Sequence, residues 1–256
     1  MSSPIVGLFA SVLLASLVAG CGGAEPRFEV GPVDYATWHP VLYDLAVGSE
    51  QPTADWQVAE DGASVTQVVN ADPSIFLSDT VLKDQAIEGT WLVHGDSDDD
   101  FIGFVFGYQD PGHTYVFDWK SAAQSGVPEG VAVKHLAAPY DGPPTGQLPK
   151  GMPPIGAANG TWDELAVPDG DPVTVLHRGE VEGWRHDHEY RFRLEQRGSD
   201  AVIDVWEGER PLYSTRIEDA EVGRFGFYNH SQGGVTYKGF AIHKVEGGGC
   251  GCMGCG

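Results

Sequence analysis

Basic residues are scarce in this chain. Fifteen Lys and Arg stand against thirty-seven Asp and Glu in 256 residues, a formal net charge of -22. That imbalance excludes a nucleic-acid binder, whose phosphate partner such a surface repels. Cysteine is missing from the whole stretch 22–249, because the four present are Cys21, Cys250, Cys252 and Cys255. A folded body there must hold together through its core and without disulfides. Long runs with helical periodicity are also lacking. So are a GxSxG elbow, a phosphate-binding loop, a dinucleotide fingerprint and an EF-hand loop, which removes the enzyme and sensor classes those motifs mark.

What the chain has is apolar material in short pieces. Hydrophobic residues make up 41% and aromatics 11%, with 35 glycines and 17 prolines spread along the length. Several runs alternate with period two, as half-buried strands do. In FIGFVFGY (101–108), Ile102, Phe104, Phe106 and Tyr108 fall on one face; Gly103, Val105 and Gly107 fall on the other, leaving room for close approach. TYVFDWK (114–120) sets Tyr115, Phe117 and Trp119 against Thr114, Val116 and Asp118, and QDPGH between the two runs reads as a hairpin turn. EYRFRLEQR, AVIDVWEG, LYSTRI, GRFGFYN and VTYKGFAIHKV continue the pattern. Many short antiparallel strands in one body predict an all-β, antiparallel jelly-roll sandwich over residues 34–246. The Pro/Gly-rich segment 138–172 reads as a surface excursion from it.

The ends read differently. Residues 1–20 carry no charged side chain and close on LVAGC, which resembles the lipobox of bacterial lipoproteins. The resemblance implies a signal peptide over 1–20 and lipidation at Cys21, so that the membrane is met only through a lipid anchor; an ordinary secretion signal is the alternative. Residues 21–33 then form a flexible tether. Residues 247–256, with C-x-C-x-x-C on glycine, form a low-complexity tail suited to processing, crosslinking or a soft metal.

The densest charge sits against the most apolar strand. Asp96, Asp98, Asp99 and Asp100 precede Phe101, Asp110 lies in the following turn, and Asn70, Asp72 and Asp79 lie upstream. Clustered carboxylates repel one another and supply the hard oxygens that calcium takes, so a cation would relieve a real cost. A solvated acidic turn is the other reading. His186 and His188, two apart around Asp187, offer a weaker transition-metal pattern with no third ligand in view. Glu189, Glu195 and Glu207 flank strands without the paired spacing of a sandwich glycosidase. Most of the seven tryptophans belong in a core; Trp162, inside the long excursion, is the candidate for ligand contact.

Trp56-Gln57-Val58, QVVNADP (67–73), DDDFIGFVFGYQ (98–109), TYVFDWK (114–120), Gly183-Trp184-Arg185 and GRFGFYNHSQGG (223–234) together resemble the thrombospondin C-terminal domain. The resemblance spans most of residues 38–246. It implies a concanavalin-like (L-type lectin-like) jelly roll, calcium as the cofactor, and an extracellular adhesion role with a surface glycan or matrix-type protein as partner. The acids matching the family motif are Asp72, Asp98, Asp99 and Asp100, with Asp110 at the turn position. With the lipobox it implies the cell surface or outer membrane, or secretion if the anchor is unused. A glycan-active hydrolase on the same sandwich and a structural surface protein with stabilising calcium are the alternatives. Asp118 stands where the family has an apolar residue, so the receptor-peptide activity ascribed to that strand does not carry over.

Overall fold

A computed structural model describes residues 31–42, 51–95, 98–124, 127–140 and 173–245. The predicted signal peptide, Cys21, most of the excursion with Trp162, and the cysteine tail lie outside them. Every strand pair among the described residues is antiparallel, and the strands form two sheets, the all-β jelly-roll sandwich expected.

The first sheet contains β1 (Gly31–Pro32), β3 (Trp56–Val58), β4 (Ser64–Gln67), β6 (Gln85–Val93), β11 (Glu189–Arg197), β12 (Asp200–Glu207), β13 (Arg210–Ile217) and β15 (Val235–Lys244). Its order is β13-β12-β11-β6-β15-β4-β3, and β1 pairs with β15. The second sheet contains β2 (His39–Leu42), β5 (Ser74–Leu82), β7 (Phe101–Asp110), β8 (His113–Lys120), β9 (Gly130–Ala137), β10 (Val173–Gly179) and β14 (Gly223–His230), in the order β10-β9-β8-β7-β14-β5-β2. The predicted hairpin at QDPGH is there: β7 ends at Asp110 and β8 begins at His113.

Aromatic side chains from both sheets fill the space between them. The Phe104 ring stacks on Phe117 at 4.8 Å and on Phe192 of the opposite sheet at 4.7 Å. The Trp91 ring lies 4.7 Å from Phe192, and Phe227 stacks on Tyr237 at 4.2 Å. Each such ring removes about 150–250 Å² from water, so this cluster dominates stability. Trp91, Trp119 and Trp184 are fully buried, Trp38 is buried, and Trp56 and Trp206 are half-buried, which puts most of the described tryptophans in the core as expected.

Three expectations are corrected. The tether does not run to residue 33: Gly31 and Pro32 pair with Ile242 and Ala241, and the Val33 amide donates to the Phe240 carbonyl at 3.0 Å. The small-residue face of β7 is not open either. Phe101 and Val105 are buried there in a second apolar cluster with Ile75, Val116 and Tyr228. Finally, Tyr108 belongs to this second cluster, whereas Ile102, Phe104 and Phe106 belong to the first. A bulge causes the switch. Gly107 adopts φ +58°, the β7–β14 register shifts between Arg224 and Gly226, and the extra residue inverts the alternation beyond it. The strand TYVFDWK is buried as well, from Thr114 to Lys120.

Candidate functional site

At the end of the sandwich away from the β7–β8 hairpin, the chain passes from β6 through residues 94–100 into β7. Pairing of Phe101 with Lys120 sets the last residue of β8 directly beneath this loop. Asp98, Asp99 and Asp100 each bring a carboxylate oxygen into a group whose members lie within 4.8 Å of one another, and all three are half-exposed. Lys120, 1% exposed, is the cation under them. Its Nζ donates to Asp100 Oδ1 at 2.6 Å, to Asp99 Oδ1 at 3.2 Å and to the Asp99 carbonyl at 3.1 Å. One ammonium against three carboxylates leaves the loop negative.

The loop is tied down on every side. The Ser121 amide donates to the Asp99 carbonyl at 3.1 Å, the Asp99 amide to Asp98 Oδ1 at 2.9 Å, and the Asp100 amide to Gln232 Oε1 at 3.2 Å. The buried Trp184 donates from Nε1 to the Asp100 carbonyl at 3.0 Å. Asn70 donates to the Asp98 carboxylate. Partial burial pushes the Asp98 carboxyl up from its ordinary value; the Asp99 amide and Lys120 oppose this, while the charges of Asp100 and Asp99 add to it. A carboxylate so placed gains from an added cation.

Of the remaining predicted acids, Asp110 is not brought to this group. Asp72 is on the neighbouring loop, which the 231–234 segment grips through Ser231 N to Ala71 O at 2.9 Å; its carboxylate is not among the three that converge. Asp110 is at the opposite end of β7. Nine steps of about 3.3 Å separate it from Phe101, roughly 30 Å, and Asp110 Oδ1 instead accepts the Gly112 amide at 2.7 Å and closes the hairpin. The five acids therefore do not share one site. Nor do His186 and His188 converge. Asp187 between them adopts φ 56°, His186 lies edge-on to Trp184 at 4.9 Å, and His188 Nδ1 meets Glu207 Oε1 at 2.9 Å.

Beside the acidic loop runs an open cleft of about 240 Å³. Its lining includes Glu180, Glu182, Arg185, Arg210, Trp119 and Tyr190. The two features share a backbone segment. Trp184, which holds Asp100, lies between Gly183 and Arg185 of the wall. A Cβ on Gly183 would sit 1.5 Å from the Ser121 carbonyl oxygen, so only glycine lets the wall press against the chain that follows Lys120. Glu207 pins the cleft's charged rim through ion pairs with Arg185 and Arg210. Arg210 first, and then His188, hold its carboxyl well below the usual range.

Lys120 and the cleft were not anticipated from sequence. Lys120 ends a recognised strand, but its place under the acids depends on the β7 irregularity. The cleft residues come from separate segments with no motif of their own.

The family model of the thrombospondin C-terminal region matches residues 51–245. Thrombospondin-3 of Mus musculus is 28% identical over 219 residues, covering 82% of this chain and 22% of that protein. Thrombospondin-1 of Xenopus laevis is 28% identical over 208 residues, 78% of this chain and 17% of that protein. The chain thus spans about a fifth of the length of these relatives. Among solved structures, the carbohydrate-binding module CBM66 from Bacillus subtilis aligns with TM-score 0.46 and 10% identity over 74% of this chain and 91% of that one. Xenopus laevis galectin-Ib aligns with TM-score 0.40 and 11% identity over 65% and 97%. No helix among the described residues is long and apolar enough to cross a membrane. With the acidic loop, its two flanking strands and the closing strands all falling inside the matched region, the chain belongs to the thrombospondin C-terminal family.

Proposed function

We propose that this chain is a calcium-binding, lectin-like adhesion domain that works outside the cell and binds a surface glycan or a matrix-type protein. The observation that carries the reading is the convergence of Asp98, Asp99 and Asp100 over a single buried lysine, on a loop held by Trp184, whose chain neighbours Gly183 and Arg185 line the cleft. The donor set fits the ion: carboxylates are the hard oxygens calcium takes, and they remain in excess over the one ammonium beneath them. Bound calcium would supply the missing positive charge. The chain's own part is to hold the three carboxylates together through Ser121, Gln232 and Asn70, and to pass that order to the cleft wall through Trp184. In the cleft, the Glu180, Glu182, Arg185 and Arg210 side chains supply acceptors and donors suited to a hydroxyl-rich or charged ligand surface. The lipobox-like LVAGC supports display at the cell surface, with Cys21 as the lipidated residue.

The hydrolase reading gains no support. Glu189 pairs with Lys238, Glu195 with Arg193 and Arg197, and Glu207 with Arg185 and Arg210. A glycosidase acid needs a raised pKa, and that of Glu207 is lowered.

Calcium titrated into the chelator-treated protein should raise the melting temperature, and Asp99→Asn with Asp100→Asn should remove the rise. An unchanged melting temperature in the parent protein refutes the calcium part. A glycan array run beside a reducing-sugar assay tests the rest: binding without turnover supports the lectin, and turnover refutes it.

A further inference from the structure

The opposite end of the sandwich carries a second cluster of ligating side chains, and it is chemically different. His113 opens β8, His135 lies on β9, and Glu221 lies in the 218–222 loop that crosses from β13 of the first sheet to β14 of the second. Each offers one ligand atom to a group within 4.8 Å of one another. We propose that His113, His135 and Glu221 bind a divalent transition-metal ion of the zinc class, stapling the crossover loop to the second sheet.

Four observations support this. Two imidazoles and one carboxylate form a borderline-soft donor set, which suits zinc and disfavours calcium. His113 Nε2 lies 3.5 Å from Glu221 Oε1, close to the ligand-to-ligand separation of about 3.3–3.5 Å that follows from tetrahedral bonds of about 2.0–2.1 Å. The rings of His113 and His135 lie 5.5 Å apart, so the third ligand needs only a small adjustment to close the set. Finally, His135 Nε2 is buried and has no hydrogen-bond partner. A buried polar atom without a partner is costly, and a metal bond would satisfy it.

The surroundings hold the ligands in place. His135 stacks on Tyr115 at 4.3 Å, and the Tyr115 hydroxyl accepts from the Glu221 amide at 3.4 Å and donates to the Asp219 carbonyl at 3.4 Å. One tyrosine therefore orients both a histidine and the loop bearing the carboxylate. Three protein ligands leave a fourth position for water.

The test uses the full chain with Cys250, Cys252 and Cys255 changed to Ser, because those thiols would compete for zinc. Calcium is kept saturating, so that the acidic loop is silent. Zinc should then bind at one equivalent by calorimetry and raise the melting temperature. His113 and Glu221 are partly exposed, so H113Q and E221Q should both fold. Each should weaken zinc at least about 10- to 100-fold, since even outer-shell substitutions at metal sites cost that much, and each should leave the calcium shift intact. Cobalt in place of zinc should give a tetrahedral visible spectrum that is lost in both variants. No zinc-dependent shift in the parent protein, or an equal shift in both variants, overturns the proposal.

Discussion

Acid should destabilise this domain through one histidine. His230 ends β14, pairs in register with Phe101, and stacks on that ring at 5.7 Å and 10°. It is 9% exposed, and its Nδ1 has no hydrogen-bond partner. Burial, and then the charges of Lys134 and Lys120, push its pKa down from 6.5 to about 3. The folded state therefore keeps His230 neutral, while the unfolded chain protonates below about 6.5. Stability is fully present above 6.5, falls as pH drops, and stops falling near 3. Each unit is worth about 1.36 kcal/mol. Going down to about pH 5 crosses one and a half units and costs about 2 kcal/mol; reaching the folded-state pKa costs about 4–5 kcal/mol. Other groups titrate too. His135 is lowered and acts in the same direction, whereas Asp98 and Asp118 are raised and act in the opposite one. His230→Gln isolates the effect, because those groups remain in both proteins. Urea unfolding of both, with chelator, at about pH 7.5 and about pH 5 should show the parent losing about 2 kcal/mol more than the variant. Equal losses would mean that His230 is not held neutral, and the reasoning fails.

Three further outcomes follow from the geometry. Asp118, fully buried, is met by Lys134 Nζ at 2.7 Å. Lys134→Met should cost about 3–5 kcal/mol in urea unfolding, and Asp118→Val added to it should recover most of the loss, because an unpaired buried charge costs more than a missing pair; no recovery refutes this. Gly183→Ala must displace the Ser121 carbonyl and should cost about 1–3 kcal/mol, with faster hydrogen exchange at the Ser121 amide. A variant as stable as the parent would deny the close approach. Trp184→Phe removes the donor to the Asp100 carbonyl and should cost about 1–2 kcal/mol while weakening calcium several-fold. An unchanged calcium midpoint would break the proposed link between acidic loop and cleft.

The strands were legible because alternation is a local signal. Phe104, Phe117 and Phe192 each sit two residues from another inward side chain, and all three face the core as the pattern requires. The hairpin turn at Pro111-Gly112 was legible for the same reason. The cation under the acids was not. Counting back from the Asp110–His113 pair sets Phe101 opposite Ala122; the irregularity between Phe106 and Asp110 shifts the register and brings Lys120 there instead. A two-residue irregularity between Phe106 and Asp110 thus decides which residue neutralises a loop at the other end of the strand, and no nearby residue announces it.

Sequence by itself determined the class of fold, the sheet-forming segments and the placing of three carboxylates at the mouth of a strand, because period-two patterning and adjacent charges need no partner to be read. Tertiary structure alone decided which charges meet. It separated Asp110 from Asp98–Asp100, gave His188 to Glu207, and gathered His113, His135 and Glu221 from positions up to 108 residues apart. Side-chain chemistry over such separations depends on strand order and register, and those are fixed by the packing of two sheets as a whole.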